Sequence, residues 1–309
     1  MSQTLLRLRF LGRTLVLGAC FGLLWALGSS ALAADPPPAS TAPAPAPWLT
    51  IKGRVLDFAL ADLDEDQTDE LLLLFPGRLE LWHKEGAGWR FAQLAGLGTA
   101  QKGARATFGR LVVCPFGPGQ APLVYASLAD LPETAAFAYT GRGLRIIGQT
   151  PGAVLACAAD GPLHAHYETA AARFAPELSD EAGRPLAKAP GAFLALVPGP
   201  GQTLFLMPDG RLTTPTEEQK GLRCGLTPQR LADGRLACSL PLVEPDTDGV
   251  QLFSFPAAAA PVATTVVPPA PGAIWALRIW KETPTAKEEL VLLRYFPERD
   301  ESQLLRQAP

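Results

Sequence analysis

"GRVLDFALADLDEDQTDELLLLF", residues 53–75, holds two short apolar runs joined by an acidic loop. In that loop Asp62, Asp64, Glu65, Asp66, Asp69 and Glu70 crowd like charges together, directly before an apolar run with no break. Runs of this length, bounded by polar or turn residues, read as strands. The unit decides the fold because it recurs. A glycine, a short apolar strand, a polar or Pro/Gly loop and a second apolar strand return from Gly109, Gly152, Gly191, Gly234 and Gly272. The spacings are 56, 43, 39, 43 and 38 residues.

Aligning the units on their glycines tests the repeat. Three positions on lie Leu56, Val112, Leu155, Leu194, Ala237 and Trp275. Five positions on lie Phe58, Cys114, Cys157, Leu196, Ser239 and Leu277, apolar but for the serine. A two-residue period with a buried face is what a strand requires. "PGRLELWHKEG", "TGRGLRIIG" and "MPDGRLTTP" read as third strands of the first, second and fourth units. A period of roughly 40–50 residues with three or four strands suits a β-propeller blade, whose neighbours cover its faces. The expectation is an all-β propeller of six blades spanning residues 48–309. Five or seven blades, or an irregular sandwich, are the alternatives. Thirty-one prolines and 29 glycines supply turns, and long helical periodicity is scarce.

The segment before the repeats reads differently. Arg7, Arg9 and Arg13 precede the apolar "TLVLGACFGLLWALG", and "SSALAA" follows with small residues. That is a secretory signal peptide over residues 1–33, cleaved after Ala33. An uncleaved anchor, or lipoprotein-type cleavage at Cys20 within "LGAC", is the alternative. The signal has a bacterial character and predicts a periplasmic or secreted protein. Residues 34–47 alternate proline and alanine, an extended spacer without a core. The formal charge of −3, with no long basic run, argues against nucleic acid as a partner.

On the acidic loop the chain resembles the FG-GAP/VCBS (integrin-type) propeller repeat. That family's D-x-D-x-D-G-x-x-[DE] loop joins the first two strands of a blade. Asp62, Asp64, Asp66 and Glu70 match the first, third, fifth and ninth positions, and Gln67 replaces the glycine. The fifth unit carries a worn copy from Glu244 to Gly249, and the other units lack it. The resemblance implies a structural calcium ion. Asp62, Asp64, Asp66, Glu70 and the Thr68 carbonyl are the expected ligands, since calcium takes six to eight oxygens. A solvated acidic turn is the alternative.

Other chemistry is sparse. His83 reads as a surface residue near a turn. His164, His166 and Glu168 in "PLHAHYETA" would share one face of a strand, as a metal site or as a polar strand face. No G-x-S-x-G, H-E-x-x-H or C-x-x-C-H motif occurs. Cys114 and Cys157 fall in the same register, so rotational symmetry predicts free thiols. Cys224 and Cys238 bracket turn signals and are expected to form a disulfide. The functional expectation is a non-catalytic binding or scaffold propeller whose partner is another exported protein or an envelope component. The alternative is a divergent enzyme with its site in the propeller channel.

Overall fold

The two runs of residues 53–75 pair as neighbouring strands, and their pattern repeats around a ring. The computed structural model describes residues 46–97, 108–115, 120–158, 161–199, 203–225, 228–240, 247–255 and 261–309. The expected signal peptide, and the linker as far as residue 45, lie outside the described residues. Six antiparallel sheets of four strands each follow in sequence. After β1 (Pro47–Lys52), blade 1 comprises β2 (Asp57–Ala61), β3 (Glu70–Phe75), β4 (Arg78–Glu85) and β5 (Gly88–Gly96). Blade 2 comprises β6 (Gly109–Cys114), β7 (Leu123–Leu128), β8 (Glu133–Tyr139) and β9 (Leu144–Pro151). Blade 3 comprises β10 (Ala153–Ala158), β11 (Gly161–Glu168), β12 (Arg173–Ser179) and β13 (Pro185–Lys188). Blade 4 comprises β14 (Ala195–Val197), β15 (Leu204–Leu206), β16 (Arg211–Thr213) and β17 (Glu218–Arg223). Blade 5 comprises β18 (Gln229–Arg230), β19 (Leu236–Ser239), β20 (Thr247–Ser254) and β21 (Val262–Pro271). Blade 6 takes β22 (Ala273–Trp280), β23 (Glu289–Phe296) and β24 (Glu301–Gln307), and β1 completes it as the fourth strand. The protein is therefore a six-bladed, all-β propeller, closed by pairing its first strand with its last.

The uninterrupted apolar run of β3 has a direct cause. Leu72 and Leu74 pack toward blade 2, while Leu71, Leu73 and Phe75 pack toward blade 6. A strand covered on both faces reads as continuous rather than alternating hydrophobicity. β23 behaves likewise, with Leu290 and Leu292 toward blade 5 and Val291 and Leu293 toward blade 1. The apolar core is accordingly divided into clusters at the six seams between blades. Gly109 is required at one of them. A Cβ there would lie 2.8 Å from Leu56 Cβ and 2.9 Å from Leu74 Cδ2.

Hydrogen bonds stitch the same seams near the start of the inner strands. At four of the six seams the second residue after the repeat glycine donates its N–H to a side-chain oxygen of the preceding blade. Leu111 donates to Asp57 (2.8 Å), Val154 to Ser127 (3.1 Å), Ile274 to Asp248 (3.3 Å) and Val55 to Ser302 (3.0 Å). Each acceptor is buried, so losing one would strand a backbone N–H, at a cost of about 1–3 kcal/mol.

Two readings of the repeat are corrected. Gly234 lies in the turn between β18 and β19, so Ala237 and Ser239 belong to a second strand. The inner strand of blade 5 is only the two residues of β18, too short to show as an apolar run. "TGRGLRIIG" forms the fourth strand of its blade, β9, rather than the third.

The cysteine expectation is corrected as well. Cys114 and Cys157 are joined, with Cα atoms 5.5 Å apart, across the seam between blades 2 and 3. A β-bulge is the reason. β6 is regular, so Leu111 faces blade 1 and Cys114 faces blade 3. β10 shifts register between Val154 and Ala156. Leu155 and Ala156 both turn toward blade 4, and Cys157 is thereby flipped back toward blade 2. One extra residue cancels the symmetry that kept the two thiols apart. The structure also joins Cys224 and Cys238, with Cα atoms 5.2 Å apart. That bond ties the end of blade 4 to β19 of blade 5.

Candidate functional site

Two features stand out chemically, the acidic loop of blade 1 and the axial channel. The loop leaves β2 at Ala61 and returns at Glu70. Leu63 anchors it, fully buried in the cluster between blades 1 and 2, while Asp64, Glu65, Asp66 and Gln67 are exposed. Asp62 accepts the N–H groups of Asp66 (3.1 Å) and Gln67 (2.9 Å). Asp66 in turn accepts the Thr68 N–H (2.7 Å). Gln67 sits at φ 70° and Glu65 at φ 63°, so the loop keeps the left-handed turn at the position where the resembling family has glycine.

Asp62, Asp64 and Glu70 converge, with one ligand atom from each lying within 4.8 Å of the others. Asp66 falls outside that group, and Thr68 is held by its N–H to Asp66. Glu70 is buried. It accepts the Leu63 N–H (2.8 Å) and lies 3.3 Å from His83 Nδ1. Burial raises its pKa above the usual carboxylate range, Leu63 and His83 pull it back down, and the charge of Asp64 pushes it up again. Asp69 points the other way and accepts the indole N–H of Trp280 in blade 6. Burial raises its pKa too. Tyr139 of blade 2 feels the loop, its phenol pushed up by burial and then by Asp64, Glu70 and Asp66. Sequence reading missed His83, Tyr139 and Trp280, because their proximity to the loop is made by strand pairing and blade packing.

The other metal candidates separate. β11 shifts register between Ala165 and Tyr167, which places His166 at a bulge. His164 is buried beside the Pro151 carbonyl (3.3 Å), His166 is exposed, and Glu168 pairs with Arg173 (3.2 Å). The expected shared face does not form, because the bulge breaks the alternation. The worn acidic copy also changes role. Residues 241–246 lie outside the described residues. Asp248 begins the third strand pairing of its blade, is buried, and accepts N–H groups from Gly249 and Ile274. Burial pushes its pKa up to about 6, against those hydrogen bonds and the charge of Arg294.

The inner strands surround an axial cavity of about 350 Å³. Leu60, Val113, Cys157, Leu196, Gln229 and Ile279 line it, one from each blade. Its charged lining is Arg110 and Arg278. Arg278 Nη2 donates to both carboxylate oxygens of Asp57, joining blade 6 to blade 1. Asp57 also accepts the N–H groups of Phe58 and Leu111, so one buried carboxylate ties three blades together.

No protein-family profile matches this sequence, and no curated protein matches it. Solved structures with a similar fold do exist. The chain is similar to a chain in the crystal structure of BBS1N in complex with ARL6DN soaked with lead, at 10% identity and a TM-score of 0.49. That match covers 82% of this chain and 79% of the other. A chain of the mitotic checkpoint complex gives 12% identity and a TM-score of 0.45, covering 80% and 75%. The Dos1 propeller gives 8% identity and 0.43, covering 82% and 70%. Likeness this remote concerns chain tracing alone and carries nothing about activity.

Proposed function

We propose that the protein is an exported, non-catalytic binding propeller whose first blade is an FG-GAP/VCBS-like repeat with a structural calcium loop. The convergence of the Asp62, Asp64 and Glu70 oxygens carries the calcium reading. Among the described residues no lysine or arginine pairs with Asp62, Asp64 or Glu70, and His83 beside Glu70 is the one basic side chain paired with these three converging carboxylates. Hard oxygen donors in that number suit calcium better than a softer metal. Asp62, Asp64 and Glu70 would hold the ion, and Asp66 and Thr68 would complete the set after a small rearrangement. The ion would cancel repulsion and fix the turn. A raised Glu70 pKa means that affinity falls as the pH drops.

The non-catalytic reading is supported by how the buried carboxylates are used. Asp57 and Asp248 accept backbone N–H groups across seams and so hold the ring together. The partner is proposed to be another exported protein or an envelope component. Export predicts a mature N-terminus near Ala34, read by mass spectrometry of material from the cell envelope; a chain starting at a lipidated Cys20 would overturn it.

The calcium loop is tested by melting. A ligand that binds only the native state raises its stability by mass action. The purified protein should melt several degrees higher in millimolar calcium than in chelator, and Asp64→Ala should abolish that difference. Identical melts of the wild-type protein would remove the calcium assignment.

A further inference from the structure

We propose that the axial channel binds a small organic carboxylate, with Arg110 gripping the anionic end and the apolar inner strands receiving the chain. The charge balance motivates the site. Arg110 and Arg278 line the cavity, and Asp57 is the one carboxylate whose charge acts on Arg110. Asp57 is fully engaged by Arg278, Phe58 and Leu111. Arg110 has no hydrogen-bond or ion-pair partner among the described residues, and its Nε is buried without one. Burial pushes its guanidinium below the usual range, Asp57 opposes this, and Arg278 adds to it. Arg110 is half-buried, with its Nε sealed from water and unpartnered, which is costly, and an anion that fills the cavity would relieve that cost.

The cavity's chemistry narrows the ligand. A guanidinium presents a planar fork of donors that matches a carboxylate. Apart from the arginines, the lining side chains are chiefly aliphatic, with Leu60, Val113, Leu155, Leu196 and Ile279 around Gln229. About 350 Å³ lies at the lower end of the range for small-molecule pockets. An inorganic anion would leave that wall unused, whereas a short acid would bury its methylenes against it. This site is separate from the acidic loop and goes beyond the proposed calcium role.

Titration calorimetry at fixed ionic strength tests the proposal, using acetate, butyrate, hexanoate and inorganic phosphate. One equivalent of hexanoate should bind, with affinity rising about fourfold per added methylene across the series. Arg110→Gln should weaken binding about tenfold or more. Ile279→Trp, which fills the cavity and keeps both arginines, should weaken it as well and decides the matter if the Arg110 variant melts early. No binding by the wild-type protein, unchanged binding in the folded variants, or phosphate binding tighter than hexanoate would each overturn the proposal. Melts with chelator run alongside keep the tests apart. Carboxylate binding without a calcium effect would strike only the calcium loop.

Discussion

Asp57 and Asp248 show how much a single side chain does at a propeller seam. Each is buried and accepts a backbone N–H from the next blade's inner strand. They differ in their cation. Asp57 has the Arg278 guanidinium on both oxygens. The guanidinium of Arg294, close enough to act on the Asp248 charge, donates to the Asp248 backbone carbonyl (2.7 Å). Burial, only partly offset by the Gly249 and Ile274 N–H groups and by Arg294, pushes the Asp248 carboxyl up to about 6 from an ordinary 3.8. A raised folded-state pKa means the native state holds the proton more tightly than the unfolded chain does. Its contribution is therefore greatest at low pH and is lost as the pH rises from about 4 through about 6, by at most about 3 kcal/mol. Asp248→Asn should cancel this slope. The difference in melting temperature, wild type minus variant, should be larger at pH 5 than at pH 8. An equal difference at both values would show that Asp248 titrates normally.

At the scale of the strand, bulges override counting. The bulge in β10 turns Cys157 toward Cys114, and the bulge in β11 turns His166 away from His164. The disulfide falls at a thinly packed seam. Among the described residues, only Cys114, Tyr125, Ala136 and Val154 form the buried apolar cluster between blades 2 and 3. Polar bonds supplement it: Ser127 Oγ lies 2.6 Å from Thr134 Oγ1, which donates to the Gly152 carbonyl. Cys114–Cys157 closes 43 residues, against 14 for Cys224–Cys238. Loop-closure entropy then predicts about 4 kcal/mol for the former and about 3 kcal/mol for the latter. The double variant Cys114→Ser/Cys157→Ser should lose more stability in denaturant melts than Cys224→Ser/Cys238→Ser. Its amide exchange should rise first in β6 and β10. Equal losses, or exchange rising first elsewhere, would count against a weak seam.

For the whole molecule, the closing strand is decisive. β1 pairs with β24, and Gly53 donates to the Asp300 carbonyl (2.7 Å). Trp48 on β1 lies 5.3 Å from Trp89 of blade 1 and 5.2 Å from Trp280 of blade 6. The Arg306 guanidinium sits 5.0 Å and 4.7 Å from the Trp48 and Trp280 rings. Trp48 thus fastens the ring where blade 6 meets blade 1. Trp48→Ala should cost about 2–3 kcal/mol, because the indole is only partly buried and its loss removes aromatic packing and a cation–π contact. Denaturant melts read the cost directly, and hydrogen exchange should rise along β24. A change below about 0.5 kcal/mol, the range of neutral surface substitutions, would mean that β1 pairing closes the ring without it.

The repeat of apolar pairs, their spacing and the acidic loop are local properties of the chain. Solvent exclusion and chain stiffness act on neighbouring residues, so the all-β class, the six blades and an acidic loop between the first two strands of blade 1 were readable from residue order. The phase of blade 5 was not readable, because β18 is too short to leave a pattern. The partners of Asp57, Arg110 and Glu70 depend on residues tens to hundreds of positions away, brought together only when the ring closes. The pairing of Cys114 with Cys157 needed more still. A bulge is set by how a strand fits its neighbours, and no periodicity in the chain records it.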